Sequence, residues 1–200
     1  MMKYIATLTL VCIALIGTAQ FKAQIGVKGG LNLASINADD PLASYESTTG
    51  FHIGAYALAK VAMIGIQPEV LYSVRGTAGE FDLAGVKSDF SQDFVYLDIP
   101  IMVKFYLPLG LHLQAGPQFG TLISVDGEIP DGSGGTTKIS KDSYKDSDVS
   151  AALGAGWDAP FGLSFSARYV IGLSDVNDGV GVEAKNRTFQ LSVGYKLFGK

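Results

Sequence analysis

Eight segments of the chain alternate between apolar and polar residues, and this periodicity limits the possible folds more than any other feature. Residues 96–106 read YLDIPIMVKFY, with Asp98 and Lys104 on one face and Leu97, Ile99, Ile101, Val103 and Phe105 on the other. A period of two residues is typical of a β-strand with one apolar face. Similar segments span residues 25–36, 49–59, 62–74, 95–106, 111–123, 148–158, 162–173 and 187–198. Eight strands in 200 residues predict one all-β domain.

The lengths of the segments and of their connections favour a membrane protein. Each segment has about ten to thirteen residues, close to the ~9–11 that a tilted strand needs to cross a bilayer. Long connections at 37–48, 75–94, 124–147 and 174–186 alternate with short ones at 60–61, 107–110 and 159–161. Outer-membrane barrels have short periplasmic turns and longer extracellular loops. We therefore predict an eight-stranded antiparallel up-and-down transmembrane β-barrel over residues 25–198, with both termini in the periplasm.

The same pattern predicts which face of each strand meets lipid. The apolar set is too bulky for an eight-stranded interior, whereas the glycine-rich polar set fits it. A Lys or Arg facing the bilayer midplane also costs ~2–4 kcal/mol. We expect a polar network that fills the lumen, formed by Lys28, Glu69, Asp98, Lys104, Asp158, Arg168 and Lys196. We expect aromatic girdles at the membrane interfaces, formed by Phe105, Tyr106, Trp157, Phe161, Tyr169, Tyr195 and Phe198.

The N-terminus has the three regions of a secretory signal peptide. Lys3 precedes an apolar run of about twelve residues, and small residues follow it. This run is too short to span a bilayer, which needs ~20 residues. We predict a signal peptide over residues 1–19, with cleavage after Ala19 or after Ala23.

Seven successive phrases resemble the PorT-like outer-membrane β-barrel family: GVKGGLNLA (26–34), GFHIGAYA (50–57), IQPEVLYSVRG (66–76), YLDIPIMVKFY (96–106), QAGPQFG (114–120), ARYVIGLSDV (167–176) and FQLSVGYKLF (189–198). The resemblance covers nearly all of the predicted mature chain. It implies a barrel of the OmpA/OmpX size class and, for the founding member, a part in a protein-secretion system.

Composition and motifs limit the classes of function that the chain can have. The net charge of −4 and the lack of a Lys/Arg run argue against nucleic-acid binding. Motif spacing predicts no catalytic, cofactor or metal site. We expect a monomer in the cell outer membrane that contacts lipid, and another cell-surface or secretion protein through the acidic loops 75–94 and 124–147. Two alternatives are a soluble, lipocalin-like barrel that binds an apolar ligand and a lipid-modifying outer-membrane enzyme using Ser73, Ser124, Asp126 and His52.

Overall fold

Strands account for nearly all of the described chain. The computed structural model describes residues 21–38, 43–83, 86–130, 136–138, 147–173 and 184–199. The predicted signal peptide, residues 1–19, lies outside the described residues. The strands are β1 (Lys22–Ala38), β2 (Ala43–Val61), β3 (Ile64–Leu83), β4 (Val86–Tyr106), β5 (Leu111–Pro130), β6 (Thr136–Lys138), β7 (Ser147–Asp158), β8 (Leu163–Gly172) and β9 (Ala184–Gly199). A 3-10 turn, Pro108–Gly110, joins β4 to β5. In this part of the chain, no helix has the length and hydropathy needed to cross a membrane.

Eight of the strands close into an antiparallel barrel. Their order around it is β1-β2-β3-β4-β5-β7-β8-β9, and β9 pairs with β1 to complete the circle. The short β6 pairs with the last residues of β5 and takes no part in the closure. The predicted eight-stranded barrel is therefore confirmed.

The barrel is apolar outside and polar inside. In β4, Asp98 and Lys104 are 0% and 4% exposed, whereas their neighbours Leu97 and Ile99 are 38% and 41% exposed. The same alternation runs through β5 and β9. An apolar exterior of this extent is typical of a surface that meets lipid rather than water.

The two ends of the barrel differ. Tight connections at 62–63, 107–110 and 159–162 lie at the end where β1 begins and β9 finishes, which we call the short-turn end. Gly110 and Gly162 lie in these turns with φ of +83° and +93°, a conformation that side chains with a Cβ disfavour. At the opposite end, which we call the hairpin end, the strands continue well past the apolar band.

The predicted long connections include residues that are strand in the structure. Residues 75–83 and 86–94 are strand, and β3 stays paired with β4 as far as Leu83 and Val86. Much of 37–48 and the start of 124–147 are strand as well. The predicted boundaries followed the apolar alternation, which stops at the edge of the lipid band. Backbone pairing needs no apolar side chains, so the ladders extend beyond it.

Candidate functional site

The polar interior is the principal concentration of chemically active side chains. Inward positions of the strands place a set of buried polar residues along the barrel axis: Lys28, Asn32, His52, Gln67, Glu69, Ser73, Arg75, Asp98, Lys104, His112, Gln114, Gln118, Asp148, Ser150, Arg168, Thr188, Gln190 and Ser192. Because buried charges are costly unless they are paired, the partners of these groups determine what the interior can do.

Glu69 lies at the centre of the first cluster. Its carboxylate accepts hydrogen bonds from Lys28 Nζ at 3.2 Å, from Arg168 Nη1 at 2.8 Å and from Gln67 Nε2 at 2.7 Å. Arg168 Nη2 also donates to Gln114 Oε1 at 2.9 Å. The four side chains Lys28, Glu69, Gln114 and Arg168 come from β1, β3, β5 and β8, which are every second strand of the barrel. They therefore form one layer across its cross-section.

A second cluster lies toward the hairpin end around Arg75. The guanidinium donates to Asp98 Oδ2 and, at 3.1 Å, to Asp148 Oδ2, which also accepts a bond from Ser150. The Arg75 guanidinium carbon also stands 4.6 Å from the centroid of the Tyr96 ring. Arg75 and Asp148 were absent from the predicted network, so this cluster was missed except for Asp98.

A third cluster lies at the short-turn end around Asp158. Tyr106 donates its hydroxyl to Asp158 Oδ2 at 2.7 Å. Lys104 Nζ and His112 Nδ1 each lie 3.7 Å from Asp158 Oδ1. Lys60 Nζ stands 3.4 Å from the centroid of the Tyr106 ring, a cation–π geometry. Lys196, from the predicted network, is half-buried and lines a cavity at this end without joining the ion pairs of the described residues.

Near Asn32, hydrogen bonds between uncharged side chains connect strands of the barrel wall. Asn32 Nδ2 donates to Ser73 Oγ at 2.9 Å, and its Oδ1 lies 2.8 Å from His52 Nδ1. His52 Nε2 lies 2.9 Å from Ser192 Oγ. His52 and Ser73 are thus engaged with Asn32, whereas Asp126 is exposed on β5. Among the residues with described placement, no three His, Cys, Asp or Glu side chains are grouped as a metal site.

The aromatic residues predicted for the girdles mostly face outward. The exposed ones are Phe105, Trp157, Phe161, Tyr169, Tyr195 and Phe198. Trp157 donates its indole N–H to the Leu109 carbonyl at 2.9 Å and stacks on Phe165. Tyr106 differs, since it is 4% exposed and points into the lumen. It shares the inward register of Met102 and Lys104, so its position at a strand end was a misleading reason to place it in a girdle.

Comparisons with known proteins agree with this architecture. The sequence profile of the family described as "Outer membrane protein beta-barrel domain" matches residues 18–178. No curated protein matches the chain significantly. Ail, the attachment invasion locus protein of Yersinia pestis, is similar with a TM-score of 0.52 and 15% identity, over 89% of this chain and 99% of that one. Neisserial surface protein A is similar with a TM-score of 0.51 and 11% identity, over 88% and 99%. At this identity, both likenesses concern the fold.

Proposed function

Because the chain belongs to the outer membrane protein beta-barrel domain family, we propose that it is a non-enzymatic outer-membrane barrel whose lumen is closed to ions and whose hairpin end binds a partner. The outer-membrane location follows from the family and from the apolar exterior. The observation that carries the closed lumen is the Glu69 layer, in which Glu69 on β3 is bonded to Arg168 on β8, the strand directly opposite.

Three layers of side chains support closure along the axis. The Arg75, Glu69 and Asp158 clusters follow one another from the hairpin end to the short-turn end, and each contains an ion pair between strands that are not neighbours. The interior of an eight-stranded barrel is just wide enough to be filled by side chains. An ion crossing the lumen would have to break the buried, charge-assisted hydrogen bonds of the Arg75 and Glu69 clusters.

Planar-bilayer recording of the purified protein tests closure. We expect no stable conductance from the unmodified chain. The double variant Glu69→Ala/Arg168→Ala removes the ion pair at the centre of the lumen and leaves the Arg75 and Asp158 clusters unchanged. Its conductance is compared with that of the unmodified protein to detect a leak through the lumen. Large, stable conductance from the unmodified protein would end the closed-lumen proposal.

The hairpin end is our proposed interaction surface. Segments 75–94 and 124–147 carry Asp82, Asp89, Asp93, Asp126, Glu128, Asp131, Asp142 and Asp146, and acidic residues outnumber basic ones there. We infer that this end faces outward and that the short turns and both termini face the periplasm, as in other outer-membrane barrels. An acidic rim attracts basic partners and repels anions. The partner class that fits is a basic segment of another cell-surface or secretion protein.

Shortening the hairpins tests this role. Replacing residues 78–91 by a two-residue Asn-Gly turn keeps the Thr77–Gln92 pairing and removes the upper part of β3 and β4. A second variant keeps the full length but changes Asp82 and Asp89 to Asn, so it tests the acidic charge separately from the height of the hairpin. We expect both variants to insert, and both to lose affinity-captured partners if acidic charge is the determinant. If capture and surface phenotype are unchanged in both, the β3–β4 hairpin is not the binding surface.

A polyanion provides a further comparison. Ail has been crystallised in complex with the heparin analogue sucrose octasulfate. Because the hairpin end of this chain is acidic, we expect no binding of that sulfated ligand there.

The resemblance to PorT-like barrels makes secretion the first process to assay in a deletion strain. Unchanged secretion would leave the membrane and closure proposals untouched.

A further inference from the structure

A cavity of about 220 Å³ opens at the short-turn end of the lumen. Four lysines line it, from four different strands: Lys22 on β1, Lys60 on β2, Lys104 on β4 and Lys196 on β9. Asp158 is the one acidic residue among the described lining residues. The cavity therefore carries an excess of positive charge.

The contacts of the lysines show that this excess is not neutralised locally. Lys104 lies 3.7 Å from Asp158, which also accepts the Tyr106 hydroxyl bond. Lys60 stacks over the Tyr106 ring, which leaves its charge without a carboxylate. Within the described ranges, neither Lys22 nor Lys196 has an ion-pair partner. Of the four ammonium groups in the cavity, only that of Lys104 is thus paired with a carboxylate among the described residues.

The nearest other acid does not change this balance. Glu69 lies deeper in the lumen, where it already binds both Lys28 and Arg168. That layer holds two cations for one carboxylate and adds no negative charge to the cavity. Buried Lys104, which is 4% exposed, points from the wall into the cavity and fixes one of its charges in place.

We propose that this cavity binds a phosphate-bearing anion. Lysine ammonium groups act as compact point charges that bind phosphate oxygens well. Lys60, Lys104 and Lys196 line the same cavity, so their ammonium groups are the donors that would meet the phosphate oxygens. Convergent charges of one sign in a walled concavity strengthen the local field and concentrate counter-ions.

Two sources offer this chemistry. One is free inorganic phosphate from the aqueous side of the mouth. The other is the headgroup of an anionic phospholipid, because exposed Phe161 and Phe198 place the mouth near the membrane interface. The two sources share the phosphate group and differ in whether a bilayer is required.

The test uses full-length protein with ¹³C-labelled lysine, refolded in octyl glucoside and, separately, in phosphatidylcholine bicelles with or without phosphatidylglycerol. Inorganic phosphate is titrated into the micelle sample at constant ionic strength, and the lysine side-chain resonances are followed by NMR. We expect saturable shifts of Lys60, Lys104 and Lys196. Shifts with inorganic phosphate identify the free ion as a ligand, and shifts that need phosphatidylglycerol identify the lipid.

Charge variants separate a site from general attraction. The double variant Lys60→Gln/Lys196→Gln should weaken binding at least about threefold, since each removes one partly exposed attraction. Lys185→Gln/Arg187→Gln on strand β9 is the matched double control, because it also removes two positive charges, at the opposite end of the barrel. The proposal is overturned if neither sample shows saturable shifts, or if this control weakens binding as much as the Lys60→Gln/Lys196→Gln variant.

Discussion

Removing the Glu69 carboxylate is the sharpest test of the interior. In Glu69→Ala, the cations of Lys28 and Arg168 stay 5% and 1% exposed and lose their shared counter-charge. At an effective dielectric constant of ~20, opposite unit charges about 3.2 Å apart, as in the Lys28–Glu69 pair, attract by about 5 kcal/mol. Rearrangement of the remaining side chains recovers part of this energy. We expect a net loss of about 3–5 kcal/mol in the free energy of unfolding.

The assay is urea unfolding of the protein refolded in lipid vesicles, followed by the shift in gel mobility between folded and unfolded barrel. Asp126→Ala is the matched control, because it removes an exposed carboxylate from the same barrel, and it should change stability by less than about 0.5 kcal/mol. The triple variant Lys28→Met/Glu69→Leu/Arg168→Met removes the whole charge set and should recover most of the loss. A Glu69→Ala barrel within about 1 kcal/mol of the unmodified protein would refute the stabilising role of the Glu69 ion pairs.

Three further changes test other parts of the structure by the same unfolding assay. Tyr106→Phe removes the 2.7 Å bond to Asp158 and should cost about 1 kcal/mol, whereas Tyr195→Phe on the lipid face should cost almost nothing. Leu191→Arg places a cation on the outer face in the middle of β9 and should cost about 2–4 kcal/mol, while Phe198→Arg at the rim should cost about 1 kcal/mol or less. Gly30→Ala puts a Cβ against the Leu191 carbonyl oxygen and should cost about 1–3 kcal/mol, whereas Gly29→Ala, with its nearest contact at 3.5 Å, should be tolerated; equal effects of the two would contradict the close strand approach at Gly30.

The sequence was sufficient for the fold and for the facing of most strands. The two-residue alternation around Asp98 and Lys104 does not by itself say which face is wet. The volume available inside eight strands decides it, because bulky residues such as Phe165 and Tyr195 cannot all fit there. That argument uses side-chain size and strand number, both of which can be read from the chain.

The interior was predicted less completely. The end of the apolar alternation predicts a loop at Arg75, although Arg75 continues the inward series of Glu69, Leu71 and Ser73 at intervals of two residues. The same series, extended by one step, places Arg75 in the lumen. The pairing of Arg75 with Asp148 depends on the closure and register of the barrel, which no local pattern encodes.

The tall β3–β4 hairpin extends the proposed binding surface away from the membrane. Its strands have 20 and 21 residues, and a bilayer uses ~9–11 of them. The remaining ten or so residues, at about 3.3 Å each and a tilt of about 40°, raise the tip roughly 25 Å above the lipid. A partner that engages the tip can stay clear of the headgroups and of sugars attached to them. In the proposed role, the rigid barrel would hold this hairpin tip at a fixed distance from the membrane surface.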